Sequence, residues 1–541
     1  MVGPIDGRIS GTVGARIGAN VLDTLTTGMY TNPLDAVREY VANARDAIVT
    51  ARDQGLIPAK HPGRIQISID TRSRSLTIRD EGIGLPSETA CQRLVDVGMS
   101  EKSTSRENNR IVGFRGIGRL AGIAYCETLE FRTSAVGDTV ETIVCFDCVA
   151  LRKGIWDSTR NPETEAVALL NECTTKKTNR VNEDEHFFEV RMQGIGNDVG
   201  DRLLNNDHLM DYLGQNAPVD LDGHRMIYKQ EIIKEYDKEG INIPVVQIIL
   251  GRDGQQGGEV FRPYKSSYQT AKRVNSHERI EIRGIDFLTP SRQDFQYWGW
   301  VGRSNLLGQI PDPSSSGIRI RKQGIGFGGA ELMSEIFRGA SASSERFNHW
   351  FIGEIHIFHP DVIPNGRRDG FEETEAWTAI RADLLIHART LSKQCHEASE
   401  ARNMSPQKAQ QRADAAHESA DLLLKSGVAT PEKKEEGIAK LDRAIERIVS
   451  DKEKAVKRIG ADEGRKYDRI LGDLDKKKSK LQQVKYASTD MESGLDRPQV
   501  KILRLILEAA QETLEENHYA RLRAAIESKL RERRAGSPKA K

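Results

Sequence analysis

The sequence predicts an α+β protein followed by a helical C-terminal third, and three observations carry that expectation. Apolar and polar residues alternate through Arg64–Asp70 and Ser75–Asp80 around a tight turn at 71–74, which is a hairpin signal. A helical pattern from about Leu34 to Gln54 precedes the hairpin and gives its sheet something to pack against. From Glu373 onward Ala, Glu, Lys, Arg and Leu dominate and aromatics become rare, the composition of long helices.

Composition sets the outer limits. A chain of 541 residues has room for three domains, and 38% hydrophobic with 29% charged residues is a globular balance with a polar lean. Eighty basic against 79 acidic residues leave a net charge of +1, so no overall field draws the chain to nucleic acid or membrane. Six cysteines are too few for a disulfide framework, and a reducing cytoplasm is the expected location. Cys145 and Cys148 form a CxxC inside the apolar run 142–149 with no second pair nearby, which reads as strand rather than metal or redox site. No leader pattern opens the chain, and no run approaches the roughly twenty apolar residues of a membrane span.

Taken in order, residues 1–20 are glycine-rich and read as a mobile arm or a strap exchanged between subunits. A short helix over 17–29 leads to Asn32 and Pro33, where Pro33 breaks it and Asn32 caps the main helix. After the hairpin come a short helix near 87–95 and the polar stretch 97–110, where a long loop inside a compact domain is expected to be a lid. Strands follow at 128–133, 140–149 and 186–192. A second domain starts between Gly214 and Asp237, with strands at 245–250, 279–285, 295–302, 317–322 and 350–358 and a helix near 330–337. The expected division is 1–215, 216–372 and 373–541. In the last part helices are predicted over 374–425, 431–485 and 497–534. Ile438, Leu441, Ile445 and Ile448 make a coiled-coil seam that breaks before a second register at Tyr467, Ile470, Leu474 and Leu481, which suits an antiparallel hairpin or short bundle. Leu503, Ile506, Leu507, Ala510 and Leu514 give the final helix an apolar stripe for dimerisation or for folding back.

Three motifs carry chemistry. In the helix, Glu39, Asn43 and Asp46 stand at i, i+4 and i+7 and share one face. An amide oxygen suits a hard cation, and a carboxylate one turn earlier suits deprotonating a water, although the same face alone also reads as solvated charge. Asp80-Glu81-Gly82-Ile83-Gly84 ends a strand, where a carboxylate accepts from an exocyclic amine and glycines admit close approach, or where the strand simply turns. Gly113-Phe114-Arg115-Gly116-Ile117-Gly118 lies before a helix-like stretch and offers backbone N–H groups to phosphates.

Together, in this order, the motifs resemble the GHKL ATPase superfamily of gyrase B, the ninety-kilodalton heat-shock chaperones, histidine kinases, MutL and the MORC proteins. The resemblance is closest to the heat-shock chaperones. It implies a Bergerat-type α/β sandwich, an α/β middle or transducer domain and a helical, coiled-coil-like end. It further implies ATP and magnesium, with Glu39 as general base, Asn43 on the metal, Asp80 on the adenine amine, Gly82 and Gly84 shaping the base pocket and Asp46 supporting it. Gly113, Phe114, Arg115, Gly116, Ile117 and Gly118 would wrap the phosphates, and Lys102 reaches a phosphate once the lid closes or stays solvated. The Gly-Thr pair that several members carry on a late strand is absent from 185–190.

In the loop 363–372, just before a long helix, Arg368 takes the place of an arginine that contacts the terminal phosphate, while Glu372 stands where a glutamine is usual. Arg368 read alone is equally an exposed basic turn paired with Asp369 and Glu373. The implied activity is an ATP-hydrolysing, chaperone-like machine, a homodimer whose lid closes, acting on an unnamed client protein. A MORC- or MutL-like DNA clamp is the alternative, disfavoured by the absence of a basic field; a scaffold that binds ATP without turnover is another. A histidine kinase would need a phosphoacceptor histidine ahead of the ATPase, and no His precedes His61.

Overall fold

The computed structural model describes residues 17–28, 32–58, 60–98, 116–159, 164–255, 257–269, 279–426, 428, 431–459, 461–484, 489–492 and 494–535. They fall into two compact units, Met1–Cys395 and His396–Lys541.

The first unit holds two sheets. The first comprises β1 (Arg64–Asp70), β2 (Ser75–Asp80), β3 (Thr128–Ser134), β4 (Val140–Asp147), β5 (Thr174–Arg180), β6 (Phe187–Gln193), β7 (Gln247–Arg252) and β8 (Gly258–Glu259), in the order β5-β4-β3-β6-β2-β1-β7-β8. The second comprises β9 (Ser267–Gln269), β10 (Arg279–Leu288), β11 (Tyr297–Ser304), β12 (Gly317–Lys322), β13 (Ile325–Phe327) and β14 (Ile352–Ile357), in the order β13-β12-β14-β11-β10-β9. The α+β expectation holds. A break between the sheets at residue 215 does not: β7 lies beyond it and pairs in parallel with β1, Ile65 opposite Ile248. The reason is apolar alternation, since Ile248 and Leu250 complete the same buried core as Ile65, Ile67 and Ile69.

The central helix runs Leu34–Asp53. Asn32 Oδ1 accepts the Leu34 N–H at 3.2 Å, and Pro33 just ahead of the helix gives up no needed donor. Fourteen of its 20 residues are buried, including Glu39, Arg45 and Asp46, which rules out a solvated charged face. One side joins the core of the first sheet through Val37, Val41, Ala44 and Ile48. The opposite side places Ala42 in the core of the second, beside Ile325, Phe327 and Phe337. Arg45 crosses the same boundary and donates to Gln323 Oε1 at 3.1 Å.

The second sheet buries charge of its own. Glu354 on β14 is fully buried and meets Arg321 Nε at 2.6 Å, Arg262, and His356 Nε2 at 3.2 Å. Burial pushes the Arg321 guanidinium down to about 9, and burial beside Arg262 and Arg321 holds the His356 imidazole well below its usual range.

Each of the three helical segments expected at the C-terminal end is divided. Helices run Glu375–Asn403 and Pro406–Ser426, Pro431–Ile459 and Ala461–Gln483, Arg497–Thr513 and Glu516–Ala535. Pro406 accounts for the first break because the residue before a proline is driven out of helical geometry. An extended backbone at Leu514 makes the last. In the second unit Lys434 donates to the Gln482 carbonyl at 2.6 Å, and Lys452 pairs with Asp468, so those helices run antiparallel as expected. Leu441, Ile448, Tyr467, Ile470, Leu474 and Leu481 form their buried seam. Lys477 pairs with Asp421 and Lys478 with Asp442 at 2.5 Å, which ties the lysine run 476–478 into the bundle surface.

Glu354→Gln would leave two buried guanidinium groups sharing no full negative charge. It should destabilise the first unit by roughly 3–5 kcal/mol, read as a lowered midpoint in urea unfolding.

Candidate functional site

Glu39 is 2% exposed, and its Oε1 lies 2.9 Å from Arg368 Nε. The guanidinium approaches off-axis, so the contact is an ion pair more than an aligned hydrogen bond, and Glu39 Oε1 and Arg368 Nη1 both lack a hydrogen-bond partner among the described residues. The loop carrying Arg368 is held at two points. Arg38 donates to the Arg367 carbonyl at 3.4 Å, and the Asn365 amide donates to Asp369 Oδ1 at 2.6 Å. Arg368 itself adopts φ +56°, an uncommon conformation for a side chain-bearing residue. Glu373 pairs with Arg381 at 2.9 Å, so neither acid of the basic-turn alternative takes Arg368.

The other oxygen of Glu39 faces the glycine stretch. A methyl group on Gly118 would stand 2.5 Å from Glu39 Oε2, so a side chain there would make the carboxylate shift. Gly118 begins a 3₁₀ helix, Gly118–Ala124, pinned by Tyr40, whose hydroxyl donates to the Arg119 carbonyl at 3.1 Å and accepts the Gly122 N–H at 2.8 Å. Gly116 adopts φ +68° and Ile117 is half-buried. Lys102, Gly113, Phe114 and Arg115 lie outside the described residues.

Asn43, one turn after Glu39, is half-buried and makes no side-chain hydrogen bond among the described residues. Asp46 is buried against Arg45 Nη1 at 2.9 Å, so its carboxylate is neutralised within the helix. Asp80 closes β2, and its Oδ1 accepts the Gly82 N–H at 2.8 Å. Burial pushes its carboxyl up to about 7, against weaker opposing pulls from the Gly82 N–H, Arg79 and the Phe188 N–H. A methyl on Gly82 would meet Ala47 Cβ at 2.5 Å, and one on Gly84, at φ +65°, would strike the Ser134 carbonyl. These glycines therefore let the turn lie flat between the central helix and β3.

Glu39, Asn43, Asp80, Gly82, Gly84, Gly118 and Arg368 are thus drawn around one helix face. Sequence reasoning passed over Thr133, which accepts the Leu85 N–H at 2.8 Å, and His186, whose Nδ1 lies 2.8 Å from the Gly82 carbonyl oxygen. Thr133 sits on β3 and His186 just ahead of β6, and neither carries motif spacing. A magnesium nucleotide fits the residues present: an amide oxygen and a buried Arg368 N–H that have no hydrogen-bond partner among the described residues, and glycines where a methyl would intrude.

Residues 30–180 match the family model described as histidine kinase-, DNA gyrase B-, and HSP90-like ATPase. Among curated proteins the chain is similar to Chaperone protein HtpG of Psychrobacter arcticus, 27% identical over 136 residues, 23% of this chain and 21% of that one. The HtpG of Salmonella typhimurium is 26% identical over 199 residues, 34% of this chain and 30% of its own, and that of Buchnera aphidicola is 24% identical over 213 residues, 36% and 32%. The matched segment spans a third or less of the length of each of these relatives.

Because folding raises the Asp80 carboxyl from 3.8 to about 7, the native state favours its protonated form. Stability is therefore full below the unfolded value and falls as pH rises toward the folded one. Asp80→Asn should stabilise the fold at pH 8 by on the order of 2–4 kcal/mol and change little near pH 4, compared by thermal unfolding at the two pH values.

Proposed function

We propose, from residues 30–180 as a histidine kinase-, gyrase B- and HSP90-like ATPase domain, that the chain hydrolyses ATP and uses the cycle to change conformation, as a chaperone-like dimeric clamp acting on protein clients. The observation that carries this reading is the buried pair of Glu39 and Arg368, a candidate base held by a candidate phosphate-sensing cation from a distant loop.

Glu39 would take the proton of the attacking water once its oxygen is released by Arg368. An incoming terminal phosphate carries more charge and three acceptor oxygens, so it would draw the guanidinium away and free Glu39. The unpartnered Nη1 leaves Arg368 a second N–H for that contact. Asn43 would give one oxygen to magnesium, whose chemistry is to neutralise the phosphate oxygens; the rest of its shell would be phosphate and water. Asp80 would hold the exocyclic amine of adenine, with Gly82 and Gly84 letting the base lie close. The glycine stretch ending at Gly118 would cover the phosphates, with Lys102 joining them when the lid closes.

A DNA clamp is the second reading, and a salt-sensitive gel shift with the full chain would favour it. A scaffold that holds ATP without turnover would show nucleotide-dependent compaction and no phosphate release.

Glu39→Ala should abolish phosphate release while keeping ATP affinity within a few-fold; turnover that persists removes the base assignment. Arg368→Ala should lower kcat by about 10³-fold with a small change in KM, and an unchanged kcat rejects its contact with the terminal phosphate. Asn43→Ala should weaken ATP binding in magnesium and much less in EDTA, as compared by calorimetry.

A further inference from the structure

Asp80, Phe188 and Thr133 form one row across three strands. Asp80 on β2 pairs with Phe188 on β6, and Phe188 pairs with Thr133 on β3, so their side chains leave the same face of the sheet. It is the face toward the central helix, because Phe131 two residues before Thr133 packs 6.4 Å, ring to ring, from Tyr40. The cross-strand neighbour of the carboxylate is thus a half-buried benzyl ring, set 5.8 Å from the Phe131 ring, and it brings no hydroxyl.

The nearest hydroxyl in the row is already committed. Thr133 donates to the Phe187 carbonyl at 3.0 Å and accepts the Leu85 N–H at 2.8 Å. Ser134, whose buried hydroxyl has no hydrogen-bond partner among the described residues, is one position along β3 and leaves by the opposite face. Adenine presents a donor at its exocyclic amine and an acceptor at N1. A carboxylate answers only the donor, whereas a carboxylic acid answers both.

We propose that Asp80 reads adenine as a neutral acid, its Oδ1 accepting from the exocyclic amine and its Oδ2–H donating to N1, with Phe188 walling the base in place of a hydroxyl-bearing residue. Oδ1 has a second lone pair beyond the one taken by the Gly82 N–H. Burial raises the carboxyl into the neutral range, and the ring beside it keeps water from restoring the charge. The charged or titratable groups nearest it are Arg79 on its own strand, Glu81 on the turn that follows and His186 just ahead of β6 on the Gly82 carbonyl, while Glu189 on β6 leaves by the opposite face of the sheet. The inference rests on Asp80 as the base-reading residue and refines how it reads.

The test is calorimetry of ATP binding to the full chain between about pH 6 and 9, in buffers of different ionisation enthalpy, with wild type and Asp80→Asn. Wild-type affinity should be level below about 7 and fall by up to about tenfold per pH unit above it, with close to one proton taken up per ATP at the alkaline end. An asparagine amide supplies one acceptor and one donor, so Asp80→Asn should bind within a few-fold of the wild type's low-pH affinity, without that fall and without the proton. Equal pH profiles for the two proteins overturn the proposal, as does a loss of a hundredfold or more in a variant whose melting curve shows it folded. Should the variant not fold, proton uptake by the wild type decides alone: its presence supports the proposal and its absence overturns it. A wild type that binds ATP with no proton uptake leaves the ATPase reading standing and removes only this inference. A wild type that binds no adenine nucleotide at any pH overturns both.

Discussion

A carboxylate taken out of water must find a cation or give up its charge, and Glu39 finds Arg368. The two residues lie far apart in the sequence of the first unit, and their pairing sets the loop at 363–372 against the central helix. Arg38 on the Arg367 carbonyl, Arg45 on Gln323 and Ala42 in the core of the second sheet add contacts along the same boundary. The helix is therefore a shared wall. One side packs on the first sheet, and the other reaches the second sheet with side chains that an exposed helix would give to solvent.

β12 extends this connection. Arg321 donates to the Gln215 carbonyl at 2.7 Å and to the Gly324 carbonyl at 2.9 Å while its Nε meets Glu354, which ties the chain leaving the first sheet into the second. The neighbouring Lys322 donates to the carbonyls of His359 and Val362 at 2.7 and 2.8 Å, just ahead of the arginine loop. Burial holds that ammonium down to about 8, against a weaker upward pull from Asp361, and the two carbonyls give its N–H groups acceptors. Two adjacent residues on one strand thus grip the segment that enters the second sheet and the segment that presents Arg368. A displacement of the arginine loop is resisted by the sheet as a whole.

Much of the fold is legible in the sequence, for reasons that differ by residue. The central helix, the hairpin and the glycine turns announce themselves because each has a local period or a backbone demand that few residue types meet. Arg368 was legible only through resemblance, since an Arg-Arg-Asp turn by itself reads as surface. β5 was not foreseen: its sequence Thr174–Arg180 is polar throughout and nearly all exposed, an edge strand held by pairing to β4 with no buried face to imprint an alternation. The apolar run 142–149 predicts strand at Cys148, but that residue opens the helix Cys148–Ser158, capped by Asp147, whose carboxylate accepts the Ala150 N–H. The row from Asp80 through Phe188 to Thr133 is a fact of register between strands over a hundred residues apart in part, and no local pattern encodes register.

Charge placement bears on which partner the chain suits. On the face of the first sheet opposite the central helix, Arg79 and Arg191 both meet Glu189, at 3.2 and 2.6 Å, and Arg132 meets Glu141 at 2.7 Å, so guanidinium and carboxylate groups cancel across neighbouring strands. The lysine cluster of the C-terminal bundle is likewise spent on Asp421 and Asp442. A polyanion is bound by cations whose counterions it can release, and a cation already holding a carboxylate must first surrender it. At these sites the charges are paired locally, leaving them without the continuous positive field a DNA clamp would draw on.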